Sequence, residues 1–559
     1  MNILAVDFEN WTQKVIDETG INHSPDGTCA CMGWCSDYGK GVIWDYRQIR
    51  KFLLNCGFYA GYKGNSCILF CHNLKYDAMF LQYFIPECRF MFAGKFYNGE
   101  YKNPYGKNIY IRDSFLFFQS SLEKLAKDFN FSVQKQDLSN LENRVISDAE
   151  ITYLIGKEID KMVDTKGVKK FPMTAAGLAK KVYTKKFNKY EFQRDLLFEF
   201  EEKFINNAYY GGRTEDFIHG RIDDIIYHFD VNSLYPYSML NLIPHGKADY
   251  CKEHTKELYD KNFSGIYHVK INIPDNKFGC LPLKYKVKPA YRLIFPVGKL
   301  QGYWTNVELK FAEKYFNAKI EEFIECIYYG ENKRYFDEYI NFFGEMKRNS
   351  RGAQKAFAKL CLNSLYGKTA QKHHEITKFL QNGKIEEVKN ERKSIYAKGA
   401  NPIIACFVTS YARINLLKGM LDVEKAGGNV LYCDTDSIFC TNYNGGLKID
   451  DNEFGAWKEE DDNKMNWIEI YAPKVYRTPF IFRHKGIPLK DDVELIYDEN
   501  NLIARFDAPN NSIFDFASNT GKVIWDKKTK KLEYSLKTFH KREFYNNGEY
   551  SKPHYLEMY

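Results

Sequence analysis

The 559-residue sequence predicts a multidomain chain, an α/β unit followed by a longer α+β region. Three observations carry this. Apolar runs of strand length alternate with helix-length stretches up to about residue 185, the pattern of an α/β unit. Beyond it, short β-like runs mixed with Pro and Lys (245–335) precede one amphipathic helix candidate (352–365) and two short strands around an acidic turn. Hydrophobic residues make up 44%, and this length holds three or four domain-sized units with real cores.

The elements follow in chain order. Residues 3–8 read as a buried strand interrupted by an acid, Asp7. Ser66–Cys71 (SCILFC) is a second apolar strand, followed by His72 and Asn73. Residues 108–112 alternate as a strand and lead into Asp113. Residues 175–189 form a basic helical segment, and Tyr209-Tyr210-Gly211-Gly212 is a Gly-Gly turn that marks a boundary. Residues 225–231 are a strand with Asp230 at its end. Residues 373–398 are polar and charged, an insertion or hairpin. Residues 430–433 and 438–440 are strands flanking Asp434-Thr435-Asp436.

Composition narrows the class. Lys and Arg number 80 against 72 acids, a net charge of +8, and the pI is about 8.5. Such a mild excess suits a nucleic-acid partner without requiring one. The 14 cysteines do not form a small secreted disulfide framework. Neither Cys29, Cys31 and Cys35 nor Cys67, Cys71 and His72 have paired zinc-ligand spacing. The N-terminus has no signal-peptide pattern, and no apolar run reaches the roughly 18 residues of a membrane span. A cytoplasmic, non-secreted, non-membrane and monomeric protein is expected.

Two acidic clusters carry the chemistry. In the C-terminal one, the run FDVNSLYP (229–236) ends a strand in Asp230, and YCDTDS (432–437) places Asp434 and Asp436 on a tight turn. Carboxylates beside apolar strand ends are costly unless a cation neutralises them. Three that converge suit two Mg²⁺ ions about 4 Å apart, with Mn²⁺ as an alternative. Between the two motifs, Lys355, Lys359 and Asn363 recur every four residues and drift by about 40° per step, so they share one helix face. Lys347 falls further round and can join them only from a bent or preceding segment. A cationic face opposite carboxylates would hold a triphosphate. In the N-terminal cluster, Asp7 and Glu9 stand two apart on a strand and point to one face. Asn73 and Asp77 follow the second strand in HNLKYD.

Together these motifs resemble those of family B DNA polymerases. FDVNSLYP, KLCLNSLYG (359–367), YCDTDS and Lys474-Val475-Tyr476 match the family's polymerase motifs in order. Asp7-x-Glu9 and Asn73-x-x-Tyr76-Asp77 resemble the first two motifs of its ribonuclease-H-like 3′→5′ proofreading nuclease. Carried over position by position, the resemblance implies metal at Asp230, Val231, Asp434 and Asp436, and a second metal set at Asp7, Glu9, Asp77 and Glu158. It implies nucleotide contacts from Val231, Ser233, Leu234, Tyr235, Lys347, Lys355, Lys359, Asn363, Tyr366 and Gly367, with the Tyr235 ring excluding a 2′-hydroxyl. DNA contacts would come from Asn73, Tyr76, Tyr209, Gly211, Gly212, Tyr432, Thr435, Lys474, Tyr476 and Lys485. The third nuclease motif departs from the family's Y-x-x-x-D. Tyr153 has Lys157 at the acid position, with Glu158 one residue late and Asp160 three late. Glu158 with Tyr153 as helper is the expected pair, and Asp160 the alternative. Asn10 stands after Glu9 where many relatives have Thr.

The implied layout is a 3′→5′ exonuclease (1–185), a linker with the first part of a palm (186–244), a first insertion (245–335), fingers (336–370), a second insertion (371–400), the rest of the palm (401–480) and a thumb (481–559). The two insertions match by position those of protein-primed, phi29-like enzymes. That branch implies a primer-template, dNTPs and a terminal protein as partners, with strand-displacing replication of a linear phage genome. A linear-plasmid enzyme, a polymerase with a silent nuclease, an RNA polymerase or reverse transcriptase, and a non-catalytic DNA-binding protein are the alternatives.

Overall fold

The computed structural model describes residues 2–559 apart from 22, 25, 57–65, 93–95, 134–139, 164–170, 191–197, 288–289, 373–375, 390–393, 398, 461–464, 485–492, 499–500, 510–520, 523–524, 534–540 and 546–549. Lys485, one of the expected DNA contacts, lies outside the described residues.

The N-terminal unit is built on a mixed sheet with Ile3–Asn10 among its inner strands. This strand runs parallel to Ser66–Cys71 and antiparallel to Cys29–Ser36. Ser66–Cys71 in turn pairs in parallel with Asn108–Asp113. Central parallel strands are covered on both faces, which is why their sequences are continuous apolar runs. Helix Leu141–Val163 covers one face. It approaches so closely that a Cβ on Gly33 would lie 2.2 Å from the Val145 carbonyl oxygen, and one on Gly156 would lie 2.8 Å from the Phe70 ring. Gly33 is the cross-strand partner of Asp7. The first turns of the helix therefore sit over the acidic end of Ile3–Asn10.

The polar stretch around residues 373–398 forms a hairpin of Ile376–Gln381 and Lys384–Lys389, one of the two forms expected. It does not stand alone. Ile376–Gln381 pairs antiparallel with Arg89–Phe92 and extends the N-terminal sheet, with Leu380 fully buried in that core. Arg89 stacks over the Phe379 ring at 3.6 Å and reaches Glu386 at 3.3 Å.

The C-terminal region is organised around a second, antiparallel sheet in the order Trp457–Glu459, Tyr227–Val231, Ser437–Thr441, Asn429–Asp434, Thr214–Asp216. Helix Pro402–Lys425 packs against it, and Gly419 lets the Trp457 ring in where a Cβ would clash at 2.2 Å. The region 245–335 builds a third sheet from Asp249–Cys251, Lys319–Tyr329, Ser264–Ile273 and Val297–Thr305. Its last strand comes from the far end of the chain: Tyr555–Glu557 pairs in parallel with Val297–Lys299. Helices Asp337–Asn349 and Gly352–Ser364 pack against each other. Lys347 thus lies on the preceding helix, as its angular offset required.

Candidate active sites

Strand pairing assembles the C-terminal acids. Asp230 ends its strand opposite Ser437, and the Val231 amide donates to the Asp436 carbonyl at 2.7 Å. The turn between Asp434 and Ser437 needs a left-handed residue, and Thr435 supplies it at φ 64°. Its amide donates to the Arg213 carbonyl at 2.7 Å, and its side chain meets Gly212, where a Cβ would lie 3.0 Å away. The Tyr-Tyr-Gly-Gly turn is thereby seated directly on the acidic turn. Burial and the neighbouring Asp436 and Glu460 raise the Asp230 carboxyl to about 7. Burial and Asp434 raise Asp436 to about 6. Asp434 is held differently, by Lys474 Nζ at 2.6 and 2.7 Å and by the Thr214 hydroxyl at 3.0 Å.

The nucleotide-side residues converge on the same place. Ser233 adopts φ 52° and accepts from Lys347 Nζ at 3.2 Å. Leu234, buried, starts a short helix that carries Tyr235, whose ring stacks on Tyr366 at 4.2 Å and 13°. Lys355, Lys359 and Asn363 are exposed on one face of Gly352–Ser364, while Phe357, Ala358, Cys361 and Leu362 are buried on the other. That exposed face looks into a cleft of about 1260 Å³, whose opposite wall is Phe117–Asn130 of the N-terminal unit, with Lys124 and Lys127. Gly367 is exposed. Tyr432 and Tyr476 are buried and packed together at 5.3 Å, so their rings support rather than line the site. Tyr432 reaches it only through its hydroxyl, which accepts from the Lys474 amide at 2.9 Å.

Two buried arginine–glutamate pairs with no sequence signal hold the frame. Arg413 donates to the Tyr210 and Gly211 carbonyls at 2.6 and 2.9 Å and pairs with Glu308 at 2.8 Å. Arg213 pairs with buried Glu215 at 2.5 Å. Each is a fully buried guanidinium with its donors satisfied, the condition under which a buried charge is tolerated.

In the N-terminal cluster, Asp77 is 1% exposed and neither of its oxygens makes a hydrogen bond of normal geometry. Burial, then Asp113, raises its carboxyl far above the usual range. Asn73, exposed at φ 68°, donates its amide to Asp113 at 2.9 Å. The Tyr76 hydroxyl donates to Asn10 at 2.6 Å.

The expected third motif is corrected. Tyr153 donates to Asp37, which Lys157 also holds at 3.1 Å, and Glu158 pairs with Lys161 at 2.6 Å. Helix Leu141–Val163 runs away from the acids: Val145 lies over Gly33 beside Asp7, and Gly156 lies against Phe70 and Ile3. Glu158 is 14 residues beyond Arg144, which touches Glu9, so about 21 Å of helix separates them. Asp160 lies further still. The buried acid at the right end is Asp148, 3% exposed, one turn beyond Arg144. Its signal was present in the sequence: Arg144-x-x-x-Asp148 keeps the family's four-residue interval, with Arg where Tyr was sought.

A family model described as DNA polymerase type B, organellar and viral, matches residues 60–142 and 138–453. The chain belongs to this family. The DNA polymerase of Streptococcus phage Cp-1 is 29% identical to this family B polymerase over 509 residues, covering 82% of this chain and 85% of its own. That of Bacillus phage phi29 is 26% identical over 463 residues, covering 74% and 77%. The solved structure of phi29 DNA polymerase complexed with primer-template DNA covers 95% of this chain and 100% of its own at a TM-score of 0.72 and 20% identity, which establishes a shared fold. Among the described residues, no helix is long and apolar enough to cross a membrane.

Family B polymerases use divalent metal ions, and both acid sets fit them. Asp77 leaves two buried oxygens for a cation to satisfy, and the raised Asp230 and Asp436 mark charge that a cation would relieve. Among the described residues, no three acidic, His or Cys side chains are drawn into a coordination sphere. At the C-terminal site Asp434 is turned onto Lys474 instead.

Proposed function

We propose that this family B polymerase extends a DNA primer on a template with dNTPs, edits the 3′ end with its own exonuclease, and starts replication from a terminal protein. The observation that carries the polymerase assignment is the placement of Asp230 beside the Asp434-Thr435-Asp436 turn, with Lys347 reaching Ser233 just above.

In this reading Asp230 and Asp436 hold two Mg²⁺ ions, with Val231 offering its backbone. The metals, when bound, supply charge neutralisation and activate the attacking 3′-hydroxyl. Lys347, Lys355 and Lys359 bind the triphosphate. The Tyr235 ring, fixed by its stack on Tyr366, is the floor that leaves no room for a 2′-hydroxyl. Asn363 and Gly367 border the nascent base pair. Lys474 passes from Asp434 to the primer end, and Thr435 and the Tyr209–Gly212 turn lie along the template. In the nuclease, Asp7, Glu9, Asp77 and Asp148 hold the metals, and Asn73 and Tyr76 hold the frayed strand. Domain limits follow the sequence layout, with the second insertion built onto the nuclease sheet. Protein priming is supported by the two insertions and by the likeness to phage polymerases.

The test is one labelled hairpin in Mg²⁺, wild type against Asp230→Ala and Asp7→Ala. Loss of extension alone in the first and of degradation alone in the second is expected. A wild type that extends but never degrades would remove the nuclease, and one that does neither would remove the polymerase assignment.

A further inference from the structure

Arg144 is a residue that the established activity does not use. Its Nε lies 3.2 Å from Glu9 Oε1, and the two side chains are 23% and 17% exposed. The Nε is enclosed yet makes no hydrogen bond of normal geometry, so the contact is an ion pair rather than a directed bond. The Arg144 backbone is held in place, because the next residue, Val145, is locked by its carbonyl against Gly33, while the side chain keeps its rotational freedom. The partner is one of the two acids on Ile3–Asn10. Asp7 lies two residues away on the same face, and Glu9 and Asp7 both act on the neighbouring Cys31. A guanidinium keeps its charge at every working pH and has several donors, so it can hold a carboxylate and still turn to a phosphate.

We propose that Arg144 is a positioning residue of the nuclease centre: it neutralises and orients Glu9 while the centre is metal-free, and it must give up Glu9 as a divalent metal loads. The proposal rests on the nuclease reading above. It makes metal occupancy of this centre a competition between an arginine of the chain and an ion from solution. The displaced guanidinium is left one side-chain length from the centre, free to take a phosphate oxygen of the strand to be cut.

Mn²⁺ binding to the full chain, followed by electron paramagnetic resonance, tests it in wild type, Asp7→Ala, Arg144→Met and Arg144→Lys, with Arg144→Gln in place of Met if that variant does not fold. Asp7→Ala should lose the Mn²⁺ of this centre. Arg144→Met should bind that Mn²⁺ with a half-saturation about fivefold lower, given the modest strength of a partly exposed pair. Arg144→Lys should stay near wild type, and Mn²⁺ activation of primer extension should not move. The metal-free melting temperature of Arg144→Met should fall while its gain on adding Mn²⁺ grows. Equal losses of melting temperature with and without Mn²⁺, at unchanged half-saturation, would make Arg144 merely structural. Weaker Mn²⁺ binding in Arg144→Met would make it a builder of the site rather than a competitor, and overturn the proposal. If Asp7→Ala loses no Mn²⁺, the nuclease reading itself falls.

Discussion

Asp230 and Asp436 show how a site is tuned by single residues. Both carboxyls are raised, to about 7 and about 6, first by burial and then by a neighbouring acid. The metal-free fold thus binds protons more tightly than the unfolded chain, whose aspartates titrate near ~3.9. These groups cost stability progressively as pH rises from about 4 to about 7. A bound cation removes that cost, so Mg²⁺ should raise the melting temperature more at pH 8 than at pH 6. The Mg²⁺ needed for half-maximal extension should rise as pH falls through 7. Identical Mg²⁺ titrations at the two pH values would show that these acids do not bind the ion. Tyr235 gives a second residue-scale expectation. Replacing it by Val removes the ring stacked on Tyr366 and should lower dNTP-over-NTP discrimination by about 10- to 200-fold, read from single-nucleotide insertion.

At the scale of elements, the contact of helix Leu141–Val163 with strand Cys29–Ser36 is the sensitive joint. Gly33→Ala puts a methyl 2.2 Å from a backbone oxygen, which no side-chain rotation relieves. The helix must shift, at about 1–3 kcal/mol, carrying Arg144 and Asp148 off the acidic strand. Degradation of single-stranded DNA should drop at least tenfold while primer extension persists; equal loss of both would mean a global defect. This joint also marks where the sequence stops being legible. The motifs around Asp230, Asp436 and Asp77 are local: a strand end, a tight turn and the first turn of a helix, each formed by neighbouring residues whose types state their own geometry. The Lys355–Lys359–Asn363 face is equally local. The proposed third nuclease acid is not, because which helix residue lies over the acidic strand depends on where Gly33 admits the helix. Spacing from Tyr153 pointed to Glu158, whereas burial and helix placement favour Asp148 for the proposed role. The hairpin Ile376–Gln381/Lys384–Lys389 was visible as polar sequence, but its partner strand Arg89–Phe92 lies nearly three hundred residues earlier and leaves no trace in spacing.

For the whole molecule, the chain end is tied back to the sheet that carries Asp230 and Asp434. Arg542, 2% exposed, donates to the Lys277 carbonyl at 2.6 Å and to Ser551 at 2.8 Å, and lies 3.8 Å from Glu215, which Arg213 also holds. Burial pulls its guanidinium down to about 10, a sign of how far from water it sits. Arg542→Ala leaves Glu215 with one cation instead of two and should cost about 3–5 kcal/mol, seen in denaturant unfolding. A loss under about 1 kcal/mol would mean that Arg213 alone suffices. Together with strand Tyr555–Glu557, which pairs with Val297–Lys299, this tie joins the last residues of the chain to sheets formed by residues 214–329.

The hairpin in the N-terminal sheet has a bearing on how the chain is made. The sheet's own strands are complete once Asn108–Asp113 has emerged, but its edge at Arg89–Phe92 waits for residue 389. At about 5–20 residues per second on the ribosome, that is a delay of about 15–55 seconds. During it a bare strand edge faces the growing chain, open to wrong pairing. Covering that edge with a chaperone during synthesis should raise the yield of soluble enzyme more than any change to the finished fold.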